Sequence, residues 1–224
     1  MFGIKKVLKR FKKVRALPRL TQCKNLNDVA FYLVNKYKID SFSFLEIGVF
    51  KGDNAIALIS WLKTYFDLNI NYVGFDLFDE ITYLEEHYPE DYKAYNLSDF
   101  PYWEFESGGH TFAKVNEKIS QVIPQQTYEL VKGDTTITLP AYIKTNSKKI
   151  DLIYVDGCHD YIVVKEDWKN CETLFAANPK LIVAFDDFSY PGVKTVYETI
   201  ISSGQYNVHV LNENQFIVYI KRKN

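Results

Sequence analysis

The sequence of 224 residues has few cysteines and no long apolar run. Its cysteines are Cys23, Cys158 and Cys171, an odd number without paired close spacing, which argues against a disulfide framework and indicates a reducing compartment. No apolar stretch approaches the roughly 20 residues that a membrane-spanning helix needs. Hydrophobic residues make up 47% and charged residues 25%, as in ordinary globular chains. We therefore expect a cytoplasmic protein built around one main domain.

Acidic residues are missing from the first 24 positions, which contain nine Lys and Arg. The other 200 residues hold 18 basic and 28 acidic side chains, a formal charge of about −10. A strongly basic footprint is therefore absent from the body of the chain, and we expect no nucleic-acid partner.

Residues 1–24 are predicted to form a basic amphipathic helix. Apolar side chains recur at helical spacing from Ile4 to Val14, basic side chains fill the positions between them, and Pro18 ends the pattern. Through residues 1–17 such a helix can make peripheral contact with an anionic membrane or bind an acidic partner. It can equally dock on its own domain or on a second subunit of a homo-oligomer.

Residues 25–224 alternate between strand and helix patterns, with helix starts marked by Asp53, Asp160 and Pro191. The predicted strands are 43–47, 71–75, 127–132, 150–155 and 180–185, followed by an antiparallel pair at 207–211 and 215–221. This order predicts an α/β fold with a Rossmann-like, doubly wound, mostly parallel seven-stranded sheet and a C-terminal antiparallel hairpin. Residues 77–110 interrupt the alternation with a long polar and aromatic stretch, which predicts a lid.

A glycine-containing turn follows the first predicted strand and carries Glu46, Gly48 and Gly52. The glycines let the backbone approach a ligand closely, and the helix that follows points N–H groups at it. The spacing departs from the GxGxxG of dinucleotide-binding proteins, and a carboxylate at Glu46 suits a positively charged ligand better than a pyrophosphate. Both features count against a nicotinamide-dependent dehydrogenase.

The next two strands also end in polar residues. Asp76 lies 24 residues past Gly52, where a carboxylate can accept hydrogen bonds from both hydroxyls of a ribose. Gly133 and Asp134 follow the third strand, where an amide and a carboxylate can meet an adenine. A purely structural interpretation is also open, because Asp76 and Asp134 can each cap the helix that follows.

Two buried-strand patterns end in acids, at Asp156 and at the pair Asp186 and Asp187, and His159 follows the first of them. Because ligands bind at the carboxyl ends of parallel strands, these three carboxylates and one imidazole predict a metal and catalytic site. The alternatives are solvent-exposed helix capping for the acids and a surface histidine beside Asp160.

With these motifs the sequence resembles class I S-adenosylmethionine-dependent methyltransferases over residues 40–221. The segments VDGCHDY and AFDDFSYPGV are similar to metal-dependent O-methyltransferases, and most similar to the macrocin-type sugar O-methyltransferases. Catechol-type enzymes usually carry Asp-Asn where this sequence has Asp186 and Asp187, and this difference favours the comparison with the sugar enzymes. The resemblance implies that S-adenosyl-L-methionine is bound by Glu46, Gly48, Gly52, Asp76, Gly133, Asp134 and Asp156.

The resemblance also implies that Asp156, Asp186 and Asp187 are metal ligands and that His159 is the catalytic base, with Asp156 sharing a catalytic role. Mg²⁺ prefers such oxygen ligands and would lower the pKa of a substrate hydroxyl. The expected acceptor is a hydroxyl of a small polyhydroxylated molecule, a sugar or a glycoside. The alternatives are methylation of a macromolecule, RNA or protein, and a non-catalytic cofactor-binding protein of the same fold.

Overall fold

The computed structural model describes residues 19–78, 111–146, 148–212 and 217–223. Most of the predicted N-terminal helix and of the predicted lid therefore lies outside the described residues. The strands are β1 (Ser41–Ile47), β2 (Asn69–Asp76), β3 (Tyr128–Lys132), β4 (Leu152–Val155), β5 (Ile182–Phe185), β6 (Tyr206–Asn212) and β7 (Ile217–Arg222). The helices are α1 (Leu26–Tyr37), α2 (Asp53–Tyr65), α3 (Phe112–Ser120), α4 (Thr135–Thr145), α5 (Tyr161–Leu174) and α6 (Pro191–Ser202).

The strands form one sheet in the order β3-β2-β1-β4-β5-β7-β6. Strands β1 to β5 pair in parallel, whereas β7 is antiparallel to both β5 and β6. The expected mostly parallel, Rossmann-like α/β sheet is confirmed: five strands pair in parallel, and β6 and β7 form the expected antiparallel pair. Strands β6 and β7 are separated only by residues 213–216, too few for the crossover that a parallel pair needs. The strand order reverses between β1 and β4, which is where such sheets open a crevice.

Two apolar layers cover the sheet, one on each face. Alternate residues of β1 point to opposite faces, so Phe44 packs with α1, α2 and α3, while Leu45 packs with α4, α5 and α6. All four residues of β4 and all four of β5 are buried. This burial on both faces explains the continuous apolar runs of these strands.

The strand ends bring the acids to one edge of the sheet. The amide of Asp156 donates to the carbonyl of Ile47 at 2.8 Å, and the amide of Asp186 donates to the carbonyl of Val155 at 2.9 Å. Each acid is therefore the first residue after the apolar run of its strand, and it lies beside the end of the neighbouring strand. This edge is the one that carries the candidate site.

The predicted helix starts are confirmed at Asp53, Asp160 and Pro191. Asp160 caps α5 by accepting from the amide of Ile162 at 2.8 Å, and Pro191 begins α6. At α2 the capping residue is Gly52, in a left-handed conformation with φ of 76°, and not Asp53. Asp53 is the first residue of the helix and its carboxylate contacts Lys118 at 2.6 Å.

Of the predicted lid, residues 77–110, the structure describes only Leu77 and Phe78. Phe78 is 3% exposed and its ring packs edge-on against Phe112 with 5.2 Å between the ring centres. It therefore belongs to the core, and the rest of the predicted lid, residues 79–110, lies outside the described residues. Within the described ranges, none of the helices has the length and apolar character to cross a membrane.

Candidate active site

The turn after β1 requires its first glycine. Gly48 has φ of 87°, and a Cβ atom there would overlap the carbonyl oxygen of Asp156. Its amide donates to the carbonyl of Phe75 at 2.9 Å. The turn is thereby pressed between the ends of β2 and β4, which only a residue without a side chain allows. The second glycine, Gly52, faces α3, because a Cβ there would lie 3.3 Å from the side chain of Ile119.

Glu46 is completely buried beneath this turn. Its Oε2 accepts from the hydroxyl of Tyr72 at 2.7 Å, while Oε1 has no hydrogen-bond partner among the described residues. Burial raises the pKa of Glu46 to about 8; the hydrogen bond from Tyr72 opposes the rise and the charge of Asp76 adds to it. A buried carboxyl oxygen without a donor is costly, so this position is suited to a ligand that supplies one.

Asp76 ties the turn after β1 to the chain after β2. Its Oδ2 accepts from the amide of Phe50 at 2.8 Å, and its Oδ1 accepts from the amide of Phe78. Phe50 and Phe78 both adopt left-handed backbone, with φ of 47° and 56°. These two bonds fix the orientation of the Asp76 carboxylate at the end of β2, where contact with ribose hydroxyls stays a prediction.

The end of β3 lies beside Asp76. The amide of Gly133 donates to the carbonyl of Asp76 at 2.9 Å, and Gly133 has φ of 129°. Asp134 caps α4, because its Oδ1 accepts from both the amide and the hydroxyl of Thr136 at 2.8 Å. The capping interpretation of Asp134 is therefore confirmed, and contact of Asp134 with an adenine stays a prediction.

Two of the acids after β4 and β5, Asp156 and Asp186, have a raised pKa. The pKa of Asp156 is raised well above its ordinary value, by burial first and then by Asp186, Asp187 and Glu46. Burial is also the main cause that raises the pKa of Asp186. Carboxyl groups that are partly buried and clustered at one strand edge cannot all ionise cheaply unless a cation is present. The donors and their electrostatics thus fit a divalent metal ion.

Asp156, His159 and Asp187 converge most closely. Each offers one ligand atom, and these atoms all lie within 4.8 Å of one another. His159 Nε2 lies 3.2 Å from Asp187 Oδ2. Asp186, also predicted as a ligand, lies at the same edge but accepts hydrogen bonds from the Tyr154 hydroxyl and, at 2.8 Å, from the Asp187 amide. The geometry therefore groups His159 with two of the three predicted acids.

His159 is not the surface histidine of the alternative interpretation. Its side chain is 9% exposed, and its ring stacks on that of Tyr190 with 4.2 Å between the ring centres. Asp160, its neighbour in sequence, is engaged in capping α5. The imidazole is thus held in the site by contacts on its face and at its edge.

Sequence reasoning missed three polar side chains that orient the acids. Tyr72 donates to Glu46, Tyr154 donates to Asp186, and Asn54 Nδ2 donates to Asp156 Oδ2 at 3.3 Å. The two tyrosines carried a usable signal, because a tyrosine within an apolar strand needs a partner for its hydroxyl.

None of the three cysteines, all of which lie in the described ranges, forms a disulfide.

One family of known proteins matches the part of the chain that contains this site. A family model described as a methyltransferase domain matches residues 45–188, which are 144 of the 224 residues. The match begins just before Glu46 and ends just after Asp187. No protein of curated function matches the chain.

Solved structures share the fold at low sequence identity. The O-methyltransferase NovP superposes with a TM-score of 0.61 at 15% identity, over 85% of this chain and 75% of NovP. CalS11, a TDP-rhamnose 3'-O-methyltransferase of calicheamicin biosynthesis, has a TM-score of 0.51 at 20% identity, over 99% of this chain and 93% of CalS11. An O-methyltransferase from Bacillus cereus, solved in complex with SAH, has a TM-score of 0.55 at 14% identity, over 98% and 89% of the two chains.

Proposed function

Because this chain belongs to the methyltransferase-domain family, we propose that it transfers a methyl group from S-adenosylmethionine to a hydroxyl of a small polyhydroxylated molecule, a sugar or glycoside. The observation that carries the proposal is the convergence of Asp156, His159 and Asp187 within 4.8 Å. These groups lie next to the glycine turn, whose Gly48 is pressed against the backbone of Asp156. Cofactor and acceptor sites would therefore adjoin.

The described residues fit S-adenosylmethionine at three strand ends. The ammonium group of its methionine part would donate a hydrogen bond to the Oε1 atom of the buried Glu46, which has no donor among the described residues. Asp76, held by two backbone amides, would accept from the ribose hydroxyls, and Gly133 with Asp134 would border the adenine. The Bacillus cereus neighbour was solved with SAH, which supports the same cofactor here.

The acid cluster fits a divalent cation such as Mg²⁺. Asp156, Asp186 and Asp187 would hold the ion. A bound ion would lower the pKa of the acceptor hydroxyl. His159 is the candidate to take the proton of that hydroxyl as the oxygen attacks the methyl carbon. The bond between the methyl carbon and the sulfonium sulfur would break in the same step, with S-adenosylhomocysteine (SAH) as the leaving group. Asp156, whose Oδ2 accepts from Asn54, would help to orient the acceptor, and positioning of this kind supplies much of the rate in a transfer reaction.

A sugar acceptor is supported by the fold neighbours and by the motifs. CalS11 is by its description a TDP-rhamnose 3'-O-methyltransferase. In this chain the acids after β5 form an Asp-Asp pair, as in the macrocin-type enzymes, and the pair is followed by Tyr190, Pro191 and Gly192 at the start of α6. Methylation of a sugar or glycoside hydroxyl is therefore the acceptor class to test first.

Calorimetric titration of SAH into the purified protein, with Mg²⁺ and then with EDTA, tests the cofactor and the metal separately. We expect micromolar binding of SAH and a separate heat of metal binding that Asp187→Ala removes. Glu166→Gln, which alters an acid outside the site, is the matched control and should leave both unchanged. Absence of SAH binding would refute the proposal, whereas SAH binding without metal binding would refute only the metal-assisted mechanism. A screen of sugar acceptors then follows.

The basic first 24 residues favour a second candidate, a methyltransferase acting at a membrane surface or on a macromolecule. Removal of residues 1–18 separates the candidates. Salt-dependent RNA binding, or sedimentation with anionic liposomes, that is lost on truncation would support the second candidate. Unchanged sugar methylation by the truncated protein would support the first. Light scattering of both proteins would test whether the same segment forms a homo-oligomer.

A further inference from the structure

Three residues of one segment, residues 187–192, contact the histidine of the site. This segment joins β5 to α6. We propose that Tyr190 and Gly192 are positioning residues, which set the orientation of the His159 imidazole and control methyl transfer without contacting the acceptor. This inference rests on the proposed role of His159 in the reaction. It assigns a task to two residues outside the acid cluster.

Tyr190 fixes the plane of the imidazole. The two rings are nearly parallel, at 16° to one another, with 4.2 Å between their centres. Asp187 contacts the edge of the same ring, 3.2 Å from Nε2. The amide of Tyr190 donates to the carbonyl of Asp187 at 2.9 Å, so one tight turn presents both groups. The face and one edge of the ring are thereby restrained together.

Gly192 fixes the backbone of His159. A Cβ atom at this position would overlap the carbonyl oxygen of His159 and would lie 2.7 Å from the amide nitrogen of Tyr161. Both are backbone atoms, so they cannot move aside as the end of a flexible side chain can. Gly192 is helical and is not among the glycines with positive φ. The reason for a glycine here is thus close approach of α6 to the His159 loop, not an unusual conformation.

Together these contacts remove the freedom that a histidine in a loop normally has. Rotation of the imidazole about its side-chain bonds would break the stacking on Tyr190, and a shift of its backbone would require movement of the first turn of α6. A base held in this way meets the acceptor in one orientation, and misplacement by about 1 Å can cost about a hundredfold in rate.

The experiment compares Tyr190→Leu, which removes the ring, with Tyr190→Phe, which keeps it. Tyr65→Leu is the matched control, because Tyr65 is also an aromatic packed on a neighbouring ring, that of Trp61, but at the far end of α2. We expect Tyr190→Leu to lower kcat by about tenfold to a hundredfold with little change in KM or in SAH affinity. Tyr190→Phe and Tyr65→Leu should keep kcat. Gly192→Ala should lower kcat as Tyr190→Leu does.

A second readout does not depend on activity. The chain has four histidines, so the ring protons of His159 can be assigned in an NMR spectrum by their loss in His159→Gln. Stacking on Tyr190 shifts these protons upfield, and we expect Tyr190→Leu and not Tyr190→Phe to abolish the shift. A kcat unchanged in Tyr190→Leu, or an unchanged His159 spectrum, would overturn the inference. Failure of the wild-type protein to methylate any acceptor would instead overturn the proposed function, while the spectra would still test the orientation of the ring.

Discussion

A buried carboxyl group on α5 makes the stability of this protein depend on pH. Asp167 is completely buried, and neither of its carboxyl oxygens has a hydrogen bond of good geometry within the described ranges. Burial raises its pKa to about 7; the nearby side chain of Thr135 opposes the rise, and Asp134 and Glu166 add to it. The perturbation we consider is Asp167→Asn, which keeps the shape of the side chain and removes its ionisation.

The magnitude follows from the two pKa values. The unfolded chain releases this proton near pH 3.8 and the folded chain near pH 7. Between these values the folded state binds more protons than the unfolded state, so stability falls as the pH rises through this window. With 1.36 kcal/mol for each pH unit, the penalty is about 2 kcal/mol at pH 5 and about 4 kcal/mol at pH 8. Asp167→Asn removes the penalty at every pH.

Urea denaturation of the wild type and of Asp167→Asn at pH 5 and pH 8 measures this difference. Asp167→Asn should be more stable than the wild type at both pH values. The gain in the free energy of unfolding should be about 2 kcal/mol larger at pH 8 than at pH 5. Asp53→Asn is the control, since that carboxylate is 73% exposed and should show no such trend. Parallel pH dependence of Asp167→Asn and the wild type would refute the reasoning, because Asp167 would then ionise equally in both states.

Three further predictions concern the site itself. Tyr72→Phe removes the hydrogen bond to Glu46 and should lower the free energy of unfolding by about 1–3 kcal/mol in urea denaturation; an unchanged value would mean that the bond does not hold Glu46. Gly48→Ala should cost at least about 2 kcal/mol or prevent folding, because its Cβ would overlap the carbonyl of Asp156, and a stable variant with full SAH affinity would contradict this. EDTA should abolish methyl transfer and leave SAH binding intact, as Asp187→Ala should; full activity in EDTA would exclude a metal-assisted step.

The elements and the acids could be predicted from sequence because both depend on local patterns. Apolar runs end at Asp156 and Asp186, and the structure ends β4 and β5 immediately before these residues. Asp160 and Pro191 act locally at the first turn of a helix, and both begin helices as expected. The insertion of β7 between β5 and β6 was not predicted. Hydrophobic periodicity reports which residues are buried and does not report which strands are neighbours.

The partners of the acids could not be predicted because they depend on register and on loop conformation. Tyr72 reaches Glu46 only because Gly74 lies opposite Glu46 on β2, where any Cβ would overlap the tyrosine hydroxyl. Asp187 reaches His159 from a left-handed backbone with φ of 52°, which a non-glycine residue seldom adopts. Neither feature can be inferred from the order of residue types along the chain.

The two tyrosines explain how a charged site can lie directly above an apolar core. Tyr72 and Tyr154 lie on the sheet face covered by α1 to α3, and their rings belong to the core there, with Tyr72 stacked 5.6 Å from Phe44. Their hydroxyls lie at the boundary of the core and donate to acids at the carboxyl ends of neighbouring strands, Glu46 and Asp186. A tyrosine suits this boundary because its ring is apolar and its tip is polar. Each acid is thus oriented from the core side, and the Oε1 atom of Glu46 remains the one for which we propose a donor from the cofactor.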